Sequence, residues 1–227
     1  MKNKILSLIK MIRLSYSSNY SMKVANNYWQ STNITHTSMN EKQFDFYFNE
    51  IFKIMNPCKN EYMIDYGGGN GEIAHRFKEA GFNITHCDLS LQMVNNAINK
   101  YHLDSCLCKE LDNTTYNKIL FHNAFFYIHP TLIENFLNKI YKKLKSGGSL
   151  YLTDTVDFEK RENLGYGKIY TYITKLFPIY QIPLAGFFVK SSQLEFLAKK
   201  IGFSVKKYDS WGNYRSHWVL TKEIYDK

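Results

Sequence analysis

Residues 63–71 read MIDYGGGNG, in which two apolar residues, an aspartate and a tyrosine lead into four glycines within five positions. The whole chain of 227 residues contains only 12 glycines, so this concentration is a local feature. Glycine is used where the backbone needs a positive φ or where another group comes close to the main chain. The stretch therefore predicts a short strand that ends in a tight turn, with something lying against that turn.

The segments around this turn alternate between strand and helix patterns. Short apolar runs indicate strands, and apolar residues at helical spacing indicate helices. Predicted strands span 62–65, 83–88, 104–108, 118–123 and 149–155, and predicted helices span 41–55, 72–80, 92–101 and 130–145. A last helix, opened by the capping-box pair Ser192 and Glu195 and ended by Gly202, leads into strands 203–211 and 217–221.

This alternation predicts a doubly wound α/β domain with helices on both faces of a mostly parallel sheet. The last two strands are joined only by the turn at Gly212 and Asn213, so they must run antiparallel, because a parallel pair needs a long crossover. In such sheets ligands bind at the carboxyl ends of the strands, where the strand order reverses. The glycine turn at 67–71 occupies that place.

The excess of basic residues suits several kinds of partner. The chain has 29 Lys and Arg against 20 Asp and Glu, a formal net charge of +9. Nucleic acid, an anionic membrane surface or an acidic substrate would each fit this balance. The lysines are scattered, however, so we expect a solvated basic surface and no nucleic-acid partner.

The first residues indicate a basic amphipathic helix. Ile5, Leu8, Ile9 and Ile12 fall at helical spacing, with lysine and arginine at other positions. Such a helix either packs on its own domain, which we favour, or lies on a membrane surface. No run reaches the length of a membrane span, so no stable membrane insertion is expected.

The four cysteines do not follow a zinc-binding spacing. Cys106 and Cys108 lie two residues apart on a predicted strand, while Cys58 and Cys87 are distant in sequence. Free buried thiols in a reducing compartment are the simplest interpretation. We therefore expect a cytoplasmic protein with no metal ligands.

Two common cofactor motifs do not fit the glycine turn. A dinucleotide fingerprint G-x-G-x-x-G that starts at Gly67 would require glycine at position 72, where the chain has Glu72. A glutamate at the start of a helix would also repel a pyrophosphate. A P-loop requires Gly-Lys followed by Ser or Thr, which is missing here. The spacing is instead G-x-G-x-G, preceded by Asp65.

This pattern resembles motif I of class I S-adenosylmethionine-dependent methyltransferases. The helix and the glycine pair of LKSGGSLYLTD (144–154) and the reversed last strand are also similar to that family. The resemblance implies a seven-stranded sheet of order 3-2-1-4-5-7-6 with an antiparallel last strand. It implies one methyltransferase domain over 1–227, with an N-terminal helical lid (1–56), a cofactor-binding core (57–155), a substrate cap (156–190), and a last helix with a terminal hairpin (191–227).

The same resemblance implies S-adenosylmethionine as the cofactor and suggests its contacts. Asp88, at the end of the second strand, would hold the ribose hydroxyls, and Glu110 with Leu111 would lie near the adenine. Asp112 is a second acidic candidate there. The cofactor-binding residues expected from it are Tyr28, Asp65, Gly67, Gly69, Gly71, Asp88, Leu89, Met93, Glu110, Leu111, Phe121 and His122.

Methyl transfer from a sulfonium is an in-line displacement that depends mainly on alignment. A general base is needed only when the acceptor is a hydroxyl, and histidine is the usual base near neutral pH. His122 and His129 flank the segment after the fourth strand and are the candidate catalytic residues. Either histidine can also serve packing alone.

Aromatic and basic residues indicate where the acceptor would bind. Tyr28 and Trp29 resemble a lid over the cofactor, although they can also anchor the N-terminal helices. The aromatic segment 156–190 favours a cap on the site, with a core or dimer surface as the alternative. The candidate substrate residues are Trp29, Tyr127, Tyr166, Tyr170, Arg215 and His217, of which Arg215 can hold an anion or form an ion pair.

We therefore expect a methyltransferase that acts on a small molecule, at an oxygen of a sugar, a nucleotide-linked sugar or another phosphorylated metabolite. Such an acceptor can be anionic, and the protein would be a monomer or a homodimer. The alternatives are a nucleic-acid or protein methyltransferase, against which HNAFF (122–126) lacks the Asn-Pro-Pro-Tyr-like tetrad, and a non-catalytic cofactor-binding partner subunit.

Overall fold

The computed structural model describes residues 2–31, 40–111, 113–165, 167–177, 179–181 and 186–224. Within these ranges it does not describe the side chains of 2–8, 31, 167–171 and 180–181. The predicted site residue Tyr166 and the candidate Asp112 therefore lie outside the described residues, as does the side chain of Tyr170.

Strands and helices alternate along the described chain. The helices are α1 (Lys2–Tyr16), α2 (Ser18–Ser31), α3 (Glu41–Met55), α4 (Glu72–Glu79), α5 (Leu91–Tyr101), α6 (Ile133–Lys143), α7 (Gly167–Leu176) and α8 (Ser191–Ile201). The strands are β1 (Tyr62–Tyr66), β2 (Asn83–Asp88), β3 (Ser105–Leu107), β4 (Tyr116–His122), β5 (Leu144–Val156), β6 (Ile179–Gln181), β7 (Gly186–Phe187), β8 (Phe203–Asp209) and β9 (Arg215–Lys222).

Seven of these strands form one sheet in the order β3-β2-β1-β4-β5-β9-β8. The first five are parallel to their neighbours, and β9 runs antiparallel to both β5 and β8. The two short strands β6 and β7 pair separately, within the segment that follows β5. The predicted order 3-2-1-4-5-7-6 is confirmed, because its sixth and seventh strands are β8 and β9.

Alternate residues of the central strands face two different cores. Ile64 of β1 packs with Leu137 of α6 and Leu194 of α8, whereas its neighbour Met63 packs with Ile51 of α3 and Phe77 of α4. Successive side chains of a strand point to opposite faces, so both faces of this sheet are covered by helices. The arrangement places the carboxyl ends of β1, β2, β4 and β5 at one edge of the sheet.

Both predicted ends of α6 and the predicted start of α8 are wrong, and α6 begins at Ile133, after a 3-10 turn at Pro130–Leu132. Helix α6 ends at Lys143 rather than 145, because Leu144 is buried and already pairs with Tyr116 of β4. Helix α8 begins at Ser191, and Lys190 before it provides no side-chain cap, so the predicted capping box of Ser192 and Glu195 does not form. The carboxylate of Glu159 instead accepts hydrogen bonds from the amide and the hydroxyl of Ser191.

The N-terminal helices pack on the segment that follows β5. Leu14 of α1 is fully buried against Ile179 of β6 and Phe187 of β7. The lid and cap segments expected from the sequence therefore contact each other.

Among the described residues, no helix is both long and apolar enough to cross a membrane.

Candidate functional site

The turn after β1 contains three glycines with left-handed backbone. Gly67, Gly69 and Gly71 have φ of 71°, 61° and 84°, a region that residues with a Cβ rarely adopt. A Cβ on Gly71 would lie 2.6 Å from Cδ1 of Leu103 and 3.1 Å from Cβ of Ala97. Gly71 is therefore required for packing against α5 and its C-terminal end, as well as for its φ.

Gly68, which the G-x-G-x-G spacing treats as a variable position, is closely packed. A Cβ there would lie 2.5 Å from the Asp65 carboxyl group and 2.7 Å from Cδ2 of His86. A Cβ on Gly69, by contrast, would meet no atom within 4 Å. Gly69 is thus a position at which an added Cβ would meet no protein atom, whereas Gly67 and Gly68 line the cavity described below.

Asp65 is a buried carboxyl group beneath this turn. It is 0% exposed, and neither carboxyl oxygen has a hydrogen bond of standard geometry among the described residues. Burial raises its pKa to about 7, the charges of Asp88 and Glu72 add to the rise, and the backbone amide of Ala74 opposes it. A buried carboxyl group whose oxygens lack hydrogen bonds of standard geometry can still accept from a cationic or hydrogen-bond-donating ligand.

Asp88, at the end of β2, holds the same turn from the other side. One carboxylate oxygen accepts the Gly69 amide at 3.0 Å, and the other accepts the Ser90 amide at 2.8 Å. Burial raises the pKa of Asp88, while these amides oppose the rise. Leu89 beside it is 62% exposed, whereas Met93 is buried in α5. Of the residues predicted to contact the ribose and the adenine here, Leu89 is thus exposed, Asp88 is partly buried and Met93 is buried.

The other two residues predicted near the adenine lie after β3. The Glu110 carboxylate accepts the Leu107 amide at 3.3 Å and is exposed, so it closes its own turn. Leu111 is partly buried against the core that contains Phe121. Both residues remain close to the end of β3, but neither lines the cavity described next.

A cavity of about 320 Å³ runs from the glycine turn to the ends of β4 and β5. Helix α3 covers one side of it and helix α4 the other. Its lining residues are Glu41, Phe44, Tyr47, Asp65, Gly67, Gly68, Glu72, Ile73, His75, Arg76, Glu79, Tyr101, His122, Asn123 and Asp154.

His122 lies at the end of β4 in a chain of buried hydrogen bonds. The Tyr47 hydroxyl is 2.6 Å from Nε2 of His122, and the Thr153 hydroxyl is 2.8 Å from Nδ1. Tyr47 and Thr153 are 4% and 0% exposed. The structure thus brings His122 to the cavity as predicted, and it adds Tyr47, which sequence reasoning missed. Only its place on the apolar face of α3, one turn before Ile51, could have indicated a buried position.

Two residues with positive φ flank His122 at the strand ends. Asn123 follows β4 with φ 46°, and Asp154 of β5 has φ 55°. Arg215 bonds to both, at 2.6 Å to Oδ1 of Asn123 and 2.7 Å to Oδ2 of Asp154. Strained backbone is common at functional sites. Of the two roles predicted for Arg215, holding an anion or forming an ion pair, the structure shows a nearly buried ion pair with Asp154, which compensates its charge.

His217 is hydrogen-bonded to the backbone of this cluster, at Asp154. Its Nδ1 accepts the Asp154 amide at 3.0 Å, which places the proton of a neutral ring on Nε2, 3.6 Å from the Glu50 carboxylate. Burial lowers the pKa of His217 to about 4, an effect to which Lys160 adds and which Asp154 opposes. His217 is fully buried and is not among the residues that line the cavity. His217 was predicted to contact the acceptor, but in the structure its ring accepts a hydrogen bond from the Asp154 amide.

His129, the second predicted catalytic histidine, does not line the cavity either. Its Nε2 donates to the Ser15 carbonyl at 3.1 Å, and its Nδ1 lies 2.8 Å from the Thr131 hydroxyl. The ring also packs edge-on against Phe187 at 5.0 Å, and burial lowers its pKa. His129 thus ties α1 and the segment after β5 to the start of α6, which is a structural role.

The predicted lid aromatics meet the segment after β4. Tyr28 and Trp29 of α2 contact each other edge-on at 5.1 Å, and Trp29 contacts Tyr127 at 5.4 Å. The structure therefore brings together Trp29 and Tyr127, two of the candidate substrate residues.

Among the described residues, no group of three His, Cys, Asp or Glu side chains could hold a metal ion.

Comparison with known proteins gives a consistent result. The family model "Methyltransferase domain" matches residues 39–208. The ubiquinone/menaquinone biosynthesis C-methyltransferase UbiE of Zymomonas mobilis is 22% identical over 150 residues, which cover 60% of this chain and 57% of that protein. The chain thus spans little more than half the length of this curated relative.

Solved structures show the same fold at low identity. The PH0226 protein of Pyrococcus horikoshii superposes with a TM-score of 0.62 at 17% identity, over 87% of this chain and 99% of that one. Geranyl diphosphate C-methyltransferase of Streptomyces coelicolor gives 0.61 at 10% identity, over 92% and 99% of the two chains.

Proposed function

This chain belongs to the class I S-adenosylmethionine-dependent methyltransferases, and we propose that it methylates a hydroxyl oxygen of an uncharged small molecule. S-adenosylmethionine is its cofactor and supplies an electrophilic methyl group on a sulfonium. The observation that carries the proposal is the buried chain from Tyr47 through His122 to Thr153, on the cavity beside the glycine turn.

The turn offers groups that suit this cofactor. The Asp65 carboxyl group, buried without a partner of standard geometry, would face the positively charged methionine end. The open side of Gly69 would receive the adenosine, and Asp88 would accept the ribose hydroxyls. A carboxylate has about four lone-pair sites, so Asp88 can bind a ribose while it keeps its two amide bonds.

A hydroxyl acceptor must lose a proton as it attacks, and the buried chain can take it. In this scheme Tyr47 receives the proton of the acceptor while its own phenolic proton passes to Nε2 of His122. This scheme requires the tautomer in which Nδ1 donates to the Thr153 hydroxyl, so that Nε2 is free of a proton and accepts from Tyr47. Positioned acid–base groups of this kind contribute on the order of 100-fold or more to turnover.

The charge of the cavity argues against an anionic acceptor, although the whole chain carries +9. Five lining residues are acidic, although Asp154 is paired with Arg215 and the pKa of Asp65 is raised to about 7. The lining arginine, Arg76, pairs with Asp45 at 2.7 Å. A phosphorylated acceptor would therefore find no unpaired lysine or arginine among the described lining residues, and it would lie near the carboxylates of Glu41, Glu72 and Glu79. The acidic lining residues are Glu41, Asp65, Glu72, Glu79 and Asp154.

A screen of matched pairs tests this proposal. Each pair contains a sugar or polyol and its phosphorylated form, and the assay measures S-adenosylhomocysteine released with each. We expect turnover with at least one uncharged compound and much less with its phosphate. Turnover confined to phosphorylated compounds, or to amines that need no base, would overturn the proposed acceptor class.

A further inference from the structure

Over residues 9–16, where its side chains are described, helix α1 has apolar residues on two faces, and one of these faces packs on the domain. Leu14 is fully buried and Met11 partly buried against the segment after β5. Ile9, Ile12 and Tyr16 are 48%, 39% and 74% exposed. Their spacing of three and four residues places these three side chains in one stripe along the helix, away from the packed face.

Helix α7 extends this stripe at the end of α1. The Tyr16 ring contacts Phe177, just after α7, edge-on at 6.2 Å. On α7 itself Tyr172 and Leu176 are 66% and 56% exposed, and their spacing of four residues places them on one side of the helix. We call the set Ile9, Ile12, Tyr16, Tyr172 and Leu176 the α1–α7 surface.

The charge around this surface has one sign. No Asp or Glu precedes Glu41 in the sequence, whereas Lys2, Lys4, Lys10, Arg13 and Lys23 do. Helix α7 likewise has lysines and no acidic residue. Arg13 is exposed, beside the stripe on α1. The described charged side chains of α1, α2 and α7 are therefore all basic, namely Lys10, Arg13, Lys23 and Lys175.

We propose that the α1–α7 surface binds the headgroup region of an anionic phospholipid membrane. Isoleucine, leucine and tyrosine side chains on a basic helix suit the boundary between headgroups and acyl chains. Each nearby lysine or arginine strengthens association with an anionic surface by roughly fivefold. The exposed stripe and the basic flanks thus act together, and α1 both packs on its domain and lies on the membrane.

A second copy of the chain is a less suitable occupant. Two copies related by a twofold axis would bring their α1–α7 surfaces together, and both are basic without acidic groups on α1, α2 or α7 to pair with. Like charges across an interface oppose association. An anionic lipid surface removes that repulsion and covers the same apolar side chains.

Vesicle co-sedimentation of the full chain tests the proposal, and it needs neither cofactor nor acceptor. Vesicles of phosphatidylcholine alone are compared with vesicles that also contain phosphatidylglycerol. We expect binding at least tenfold tighter to the anionic vesicles, lost in high salt. The double variant Ile12→Glu/Tyr16→Glu should bind them at least tenfold more weakly.

A matched control distinguishes the loss of this surface from a general effect of two added negative charges. Phe196 on α8 and Tyr208 on β8 are 68% and 43% exposed, so Phe196→Glu/Tyr208→Glu makes the same chemical change elsewhere. This control should bind like the parent, and thermal melting should show both double variants folded. Equal loss in the two, or no binding of the parent to anionic vesicles, would overturn the proposal. The proposal would also be overturned if the parent formed a dimer that Ile12→Glu/Tyr16→Glu abolishes and did not bind vesicles.

Discussion

Replacing Gly68 by alanine, beside the same change at Gly69, tests whether Gly68 is needed for the fold and Gly69 for the cofactor. The new methyl group would lie 2.5 Å from the Asp65 carboxyl group and 2.7 Å from the His86 ring. Both neighbours are 0% exposed, so neither can move into solvent. Gly68→Ala must therefore displace β1, β2 or the turn between β1 and α4.

The expected cost follows from this overpacking. Inserting a methyl group into a closely packed core costs about 1 to 3 kcal/mol, and contacts this short indicate the upper end. For a chain of this length each kcal/mol lowers the melting temperature by roughly 2 °C. We therefore expect Gly68→Ala to melt about 4 to 6 °C below the parent protein.

Gly69→Ala is the matched comparison. Its Cβ would meet no protein atom within 4 Å, so its cost arises only from the φ of 61°, about 1 kcal/mol or roughly 2 °C. Thermal melting and calorimetric titration with S-adenosylhomocysteine are measured for both variants. Gly69→Ala should lose cofactor affinity with little loss of stability. If Gly68→Ala melts with the parent, or Gly69→Ala binds unchanged, the division of roles is refuted.

Three further variants test the rest of the site. Arg215→Ala should lower the free energy of unfolding by about 3 kcal/mol, because it leaves the Asp154 carboxylate buried without its partner; urea unfolding equal to the parent would contradict this. The pKa of His217 is lowered to about 4 in the folded protein, from an ordinary value near 6.5. Between these pH values the unfolded chain binds a proton that the folded protein does not, so stability is lost as the pH falls from 6.5 to 4. His217→Asn, which keeps an acceptor for the Asp154 amide, should show a shallower acid loss in urea unfolding. Tyr47→Phe should lower turnover about 100-fold with cofactor affinity unchanged, and full activity would leave Tyr47 and His122 with packing alone.

The strand order was predicted through the resemblance to class I methyltransferases, which the glycine turn and the reversed terminal hairpin carry. Local patterns alone predicted a doubly wound sheet with right-handed crossovers, but not the order of its strands. Element ends were less predictable. The glycine pair at 147–148 indicated a helix end before it, but the pairing of Leu144 with Tyr116 draws the chain into β5 earlier.

The site was predictable where one turn defines it and not where separate segments meet. Asp65, Gly67, Gly69 and Asp88 follow from a motif, and the structure brings them together. Tyr47 lies 75 positions before His122, so nothing local in the sequence joins them.

The same limit explains the histidines and Arg215. His129 and His122 have similar sequence settings, yet only His122 reaches the cavity, because His129 is drawn to the Ser15 carbonyl of α1. The ion pair of Arg215 with Asp154 joins two strands that are far apart in the chain. Such long-range contacts depend on packing that a single sequence does not display.

Calorimetric titration with S-adenosylmethionine, on the parent and on Asp88→Ala, tests the central claim most directly. We expect saturable binding to the parent and affinity at least tenfold weaker for the variant, because the ribose would lose its acceptor and the Gly69 amide loses its partner. Circular dichroism should show the variant folded at the titration temperature. Equal affinity in the two proteins, or no binding to the parent, would contradict the assignment of the glycine turn as the cofactor site.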